Sequence, residues 1–230
     1  MPIRLSLAAL ALLALAPLAF WPAYLSKLNA ADPYTHAHAV LGTGWLLLLV
    51  AQPLLIRAKL RSSHRLLGRL GLFVGVGFVV SSLLMAHRSL ARMSLEQFAR
   101  EGRFVYLPLA MAVLFAMALF LAVRWRHHAA AHGRFMAATA LALLDPLLAR
   151  LLFFYAPPLP AEWLYQVPAF ATSMAVLVIL QWSLPAASPA RGSWRHFAVG
   201  ATLLLLGFFV VPHTAAWQSF AAWLRALPIT

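Results

Sequence analysis

Apolar and polar positions do not alternate along this chain at a strand period or at the period of a surface helix. Apolar residues run in long blocks, separated by short gaps that carry arginine, histidine or proline. Blocks matching the thickness of a hydrocarbon core fit at residues 4–25, 37–56, 66–86, 104–123, 135–155, 163–184 and 197–212. The pattern predicts an all-α polytopic membrane bundle of about seven transmembrane helices with short loops, one membrane domain over residues 1–230. Pro17, Pro53, Pro108, Pro146 and Pro168 fall inside the blocks. Membrane helices tolerate this because neighbouring groups satisfy the freed backbone. Two stretches are patterned differently. Residues 88–103 mix Leu90, Met93, Leu95 and Phe98 with arginines and glutamates, and residues 214–227 place Trp217, Phe220, Leu224 and Leu227 at helical spacing. Both suit interfacial helices at the headgroup level. Pro157–Pro160 reads as a turn, and Pro185–Gly192 as a loop at the other end of the bundle.

Composition agrees. With 63% of residues hydrophobic and 10% charged, and a mean hydropathy of +0.84, a chain of this size has more apolar surface than it can bury in itself. The first block resembles a signal peptide in its basic start. Pro17 after the small-residue run, and apolar residues continuing to Tyr24, favour a retained helix. The absence of cysteine removes disulfides and thiolate metal sites.

Charge sets the expected orientation. With the N-terminus cytoplasmic, the inner segments carry Arg4, Arg57, Lys59, Arg61, Arg65, Arg69, Arg124, Arg126, Arg134, Arg191 and Arg195, and no carboxylate. The outer segments mix Lys27, Arg88, Arg92, Arg100, Arg103 and Arg225 with Asp32, Glu96, Glu101 and Glu162. This is the positive-inside asymmetry. The net charge of +13 therefore reports topology and contact with anionic membrane lipids, not nucleic acid.

Histidine, arginine and one membrane-embedded acid are the residues left to carry chemistry. With four of five acids in outer loops, a carboxylate-rich di-iron bundle is not available. Every other block opens near a histidine set among arginines: His64-Arg65, His132-Gly133-Arg134 and Arg195-His196. Alternate helices place these at one face, so His64 and His132, joined by His127, His128 and His196, form an inner cluster beside Arg65, Arg69 and Arg134. Neutral imidazoles can chelate copper, iron or zinc, and the arginines suit phosphate headgroups or haem propionates. His36, His38, His87 and His213 fall at the outer ends of the second, third and seventh blocks, and three of them form a second candidate metal site, with Asp32 or Glu96 in reach. Asp145 and Arg150 lie within the fifth block. An ionisable group inside a membrane helix marks a functional site by default. Five residues apart, the two are poorly placed to pair, and His36 or His38 is the expected partner of Asp145. Axial ligands for two haems stacked in the bilayer are disfavoured: His64 and His87 are 23 residues apart, about 34 Å at helical rise, and His196 and His213 are 17 apart, about 25 Å. Those spacings leave the imidazoles at the two surfaces.

From the second block onward the chain resembles the DUF2306 family of bacterial multi-helix membrane proteins, which has no assigned function. The residues that carry the likeness are His36 or His38, Gln52, His64-Arg65, Gly68-Arg69, His132-Gly133-Arg134, Met136 and Arg150, over roughly residues 36–155. The resemblance implies a bacterial inner-membrane location and puts weight on the inner site. A looser similarity to cytochrome b561-like bundles lies in the helix-end histidines. The sequence leads to an inner-membrane protein with a haem or transition-metal cofactor on helix-end histidines, serving redox chemistry. His64 and His132 are the inner ligands, with Arg65, Arg69 and Arg134 neutralising an anionic group. His36 or His38, His87 and His213 form the outer site, served by Asp145 and Arg150. The alternatives are a non-enzymatic binder of an anionic lipid or quinone-like molecule, and an accessory subunit of a larger membrane complex.

Overall fold

A computed structural model describes residues 2–182 and 187–230, and every regular element among them is helical. In chain order these are α1 (Pro2–Phe20), α2 (Pro33–Arg57), α3 (Arg61–Arg92), α4 (Leu95–Glu101), α5 (Tyr106–Arg124), α6 (Ala129–Thr139), α7 (Leu141–Tyr155), α8 (Gln166–Trp182), α9 (Arg191–Gly207) and α10 (Ala215–Ala226). Five segments are long and apolar enough to cross a membrane: Pro33–Arg57, Arg61–Arg92, Leu95–Arg124, Ala129–Tyr155 and Glu162–Trp182. Arg4–Phe20 is apolar but shorter. Part of the expected 185–192 loop, and the end of the 163–184 block, lie outside the described residues.

Helix ends depart from the hydropathy blocks where capping chemistry decides them. Asp32 accepts a hydrogen bond from the Thr35 amide at 3.1 Å and Pro33 supplies a preset first turn, so α2 starts at 33 and not at 37. Lys59 turns the chain between α2 and α3 in the left-handed region, at φ 62°. The third block grows to 32 residues because polar Arg61–Arg65 joins its first turn and the helix runs on to Arg92. That takes up the first part of the expected 88–103 interfacial stretch. Ser94 and Gln97 then form a reciprocal capping box that starts α4. The last block begins earlier than expected, at Arg191, and stops at Gly207. Pro212 has no amide hydrogen, and the chain tightens into i→i+3 bonds from Phe208 onward.

The fifth block divides in two. Ala140 donates to Ala137 in a tightened turn, separating α6 from α7 just ahead of Pro146. Thr139 sits at this break, donates to the Met136 carbonyl at 2.7 Å and accepts from Trp45 Nε1 at 3.0 Å.

α3 is wedged between α2 and α5. Gly71 lies against Leu48, and Gly75 lies so close to Leu119 and Trp45 that a Cβ there would come within 3.0 Å of both. Small residues allow this approach where lipid supplies no hydrophobic drive between helices. Trp45, Phe78 and Phe115 pack ring to ring at the centre, with centroids 4.9 and 5.0 Å apart. Phe135, Trp194 and Phe197 join α6 to α9. α1 runs antiparallel to α2, with Ser6 donating to the Val50 carbonyl at 3.0 Å. The alternation puts His64 and His132 at one end of the bundle, and His38, His87 and Gln166 at the other.

Candidate functional site

At the arginine-rich end, four helices fix two imidazoles through their Nδ1 atoms. His132, in the first turns of α6, donates Nδ1–H to the Ala122 carbonyl of α5 at 2.8 Å, which leaves its Nε2 as a bare acceptor. His64, in the first turn of α3, meets the buried Gln52 side chain of α2. The amide is best satisfied when its nitrogen donates to His64 Nδ1 and its oxygen accepts from the Gly68 amide at 2.9 Å. That leaves the proton of a neutral His64 on Nε2. The two rings are close enough to act on each other electrostatically. One therefore offers a donor and the other an acceptor, and both are half-buried.

The arginines of this end divide by role. Arg65 and Arg69 are exposed on α3. Arg134 is 1% exposed and points inward, where Nε donates to the Leu180 carbonyl at 2.8 Å and Nη1 to the Ala130 carbonyl at 3.3 Å. It fastens α6 to the C-terminal turn of α8. His127, His128 and His196 are exposed.

The opposite end holds a second polar group. His38 Nδ1 lies 3.3 Å from both Ser81 and Ser82 Oγ, and each hydroxyl donates its own proton to the Phe78 carbonyl. The imidazole is therefore the donor, and its ring stacks on Phe78 with centroids 4.7 Å apart. Asp145, 2% exposed on α7, accepts from Gln166 Nε2 of α8 at 2.7 Å through Oδ2. Its Oδ1 is enclosed and has no hydrogen-bond partner among the described residues. Arg150 donates to the Pro146 carbonyl at 3.1 Å, lies over the Phe20 ring of α1 at 5.0 Å, and is in electrostatic reach of both Asp145 and His38. The expected histidine partner of Asp145 is replaced by Gln166, 21 residues further on, because the start of α8 is the element that faces α7 there.

The remaining outer histidines separate. His36 Nδ1 and the Tyr24 hydroxyl share a hydrogen bond at 2.8 Å. His87 is buried and donates Nε2–H to the Leu227 carbonyl at 3.0 Å while Nδ1 accepts from Thr230 at 2.7 Å, tying the chain beyond α10 to α3. His213 is exposed in a short 3₁₀ turn. Asp32 is engaged with Arg92 at 3.1 Å, and Glu96 is exposed on α4. Among the described residues, no three histidines, aspartates or glutamates are grouped to hold a metal ion. Each expected outer histidine ligand is engaged by its own neighbour except His213, which is exposed.

Gln166, Ser81, Ser82 and the Trp45–Thr139 pair were not singled out from the sequence. A glutamine at the head of an apolar block and a serine doublet inside one are the faint signals that could have found the first three. Comparison of the chain with protein families, curated proteins and solved structures finds no match.

Proposed function

We propose that the chain is a seven-helix protein of the bacterial inner membrane, N-terminus inside, that binds the polar head of a quinone-like membrane molecule between His64 and His132. The observation that supports this is the complementary tautomer pair. His64 Nε2–H suits a ligand carbonyl, and the bare Nε2 of His132 suits a ligand hydroxyl. Arg65 and Arg69 face the headgroup region, where they attract anionic lipid. Further membrane subunits fit the same reading as recipients or donors of the bound molecule.

A second reading keeps the same pair as ligands to copper, iron, zinc or haem iron. The Nδ1–H bond from His132 to the Ala122 carbonyl is the backing a metal-bound imidazole commonly has. His64 fits less well, since its Nε2 becomes a ligand only if the Gln52 amide turns to accept from Nδ1–H. Two imidazoles also fall short of the three or four protein ligands of a usual zinc site.

Titrating purified protein with a short-chain quinone and, separately, with its quinol by calorimetry tests the proposal. His64→Ala should weaken quinone binding, and His132→Ala quinol binding, by roughly 3- to 10-fold, the worth of one hydrogen bond, in protein that remains folded. Unchanged affinity in both variants sinks it. Near-stoichiometric metal in protein purified without chelators, lost in either variant, would install the second reading.

A further inference from the structure

We propose that Asp145 is a reversible proton-binding residue inside the membrane domain, a role separate from the histidine pair at the other end. The geometry carries this. Asp145 sits in α7 one turn beyond the break at Ala140 and directly before Pro146, where the fifth block is interrupted. Interrupted helices are where membrane proteins place functional polar groups. Of its two oxygens, Oδ2 is held by Gln166 at 2.7 Å. Oδ1 is closed off from solvent and has no hydrogen-bond partner among the described residues. A buried polar atom left in this state is costly in hydrocarbon surroundings and requires an explanation.

The ligand class follows from the enclosure. An organic molecule needs space beside Oδ1, and that atom is shut in. A metal cation needs several oxygen ligands, and no group of three candidate ligands is present among the described residues. A proton needs neither space nor further ligands. The balance of the step is simple: the carboxylate of Asp145 takes up one proton from water to become the neutral acid, forming one O–H bond, and releases it again.

Charged and titratable groups around the site are few. On α7 itself there is Arg150, whose charge reaches Asp145. From α2 there is His38, which Arg150 also reaches. α8 contributes the neutral Gln166. Just before α8 lie Glu162, which is exposed, and Tyr165, whose hydroxyl is committed to the Leu159 amide and the Pro157 carbonyl. α1 carries only Arg4, at its far end, and Arg124 of α5 and His132 and Arg134 of α6 are likewise at the other end of the bundle. Arg150 keeps a compensating positive charge nearby when Asp145 is ionised, which makes the charged form attainable. The lack of any donor to Oδ1 keeps that form from being fully satisfied.

The chain has two aspartates, Asp32 and Asp145, so labelling aspartate with carbon-13 at the side-chain carboxyl yields two reporters. Infrared spectra of the full-length labelled protein in lipid, recorded across the pH range where it stays folded, should show one carboxyl passing between acid and carboxylate bands. That signal should be lost in Asp145→Asn. The Asp32→Asn variant leaves Asp145 as the sole aspartate and should retain the signal, so the proposal stays testable if Asp145→Asn does not fold. A lone Asp145 signal that does not change with pH, whether always acid or always carboxylate, overturns it.

Discussion

Three arginines near one another in the sequence-derived site have unlike jobs, and single substitutions separate them. Arg134 is enclosed and donates to the carbonyl at the end of α8. Arg134→Ala takes a charged donor from that carbonyl and opens space in a packed region, so a stability loss of roughly 3 kcal/mol is expected. Thermal unfolding in detergent reads it directly. Arg65 and Arg69 are exposed, so Arg65→Ala and Arg69→Ala should leave stability within about 0.5 kcal/mol. They should instead weaken binding to anionic vesicles by about 1 kcal/mol each. A stable Arg134→Ala protein would return that side chain to the ligand site. The sequence alone groups all three, because proximity along a helix end is visible in it and the direction of a side chain is not. Asp145 shows the same boundary. Its cost in a membrane helix is legible from residue type, whereas its partner Gln166 lies across a loop with no periodic relation to it.

Helices meet closely only where side chains allow it, and two glycines of opposite setting test that account. A Cβ at Gly75 of α3 would come within 3.0 Å of Leu119 and Trp45, and Trp45 is itself held by Thr139. Gly75→Ala should therefore cost about 1–3 kcal/mol by overpacking. Gly133 of α6 has nothing among the described residues within 4 Å of the added atom. Gly133→Ala should gain about 0.5–1 kcal/mol from helix propensity. Melting curves of the pair should move in opposite directions, and a shared direction would deny α3 its close-packed position. The glycine spacing of the third block is readable from the chain, and its small face does meet α2 and α5. Ends and breaks are less readable. Asp32-Pro33 is a capping signal that hydropathy overlooks, and polar Arg61–Arg65 continues a helix beyond the length lipid demands. The break at Ala140 involves residues that suit a helix, with only Pro146 downstream to announce it.

Crossing number and orientation belong to the whole bundle, and the two short helices decide them. α1 and α9 contain 19 and 17 residues, or about 28 and 26 Å at helical rise against a hydrocarbon core of roughly 30 Å. Apolar blocks reveal that these segments prefer lipid. They do not reveal where the flanking turns leave the membrane, because Pro212 and the turn after Phe20 act through backbone geometry. The antiparallel packing of α1 on α2, and the rings that join α6 to α9, pack both helices against the rest of the bundle. Absence of native cysteine makes each crossing testable by single-cysteine variants. Lys27, Glu96 and Gln218 are exposed at the His38 end, and Arg4, Arg61 and Arg195 are exposed at the His64 end. With the arginine-rich end cytoplasmic, a membrane-impermeant maleimide should label cysteines at 27, 96 and 218 in intact cells. Those at 4, 61 and 195 should react only after the membrane is opened. Labelling of 195 and 218 from the same side would remove α9 from the crossings, and equal labelling of 4 and 27 would remove α1. Reversal of the whole set would instead invert the protein, bringing the His64–His132 pair to the outer surface and Asp145 toward the cytoplasmic one.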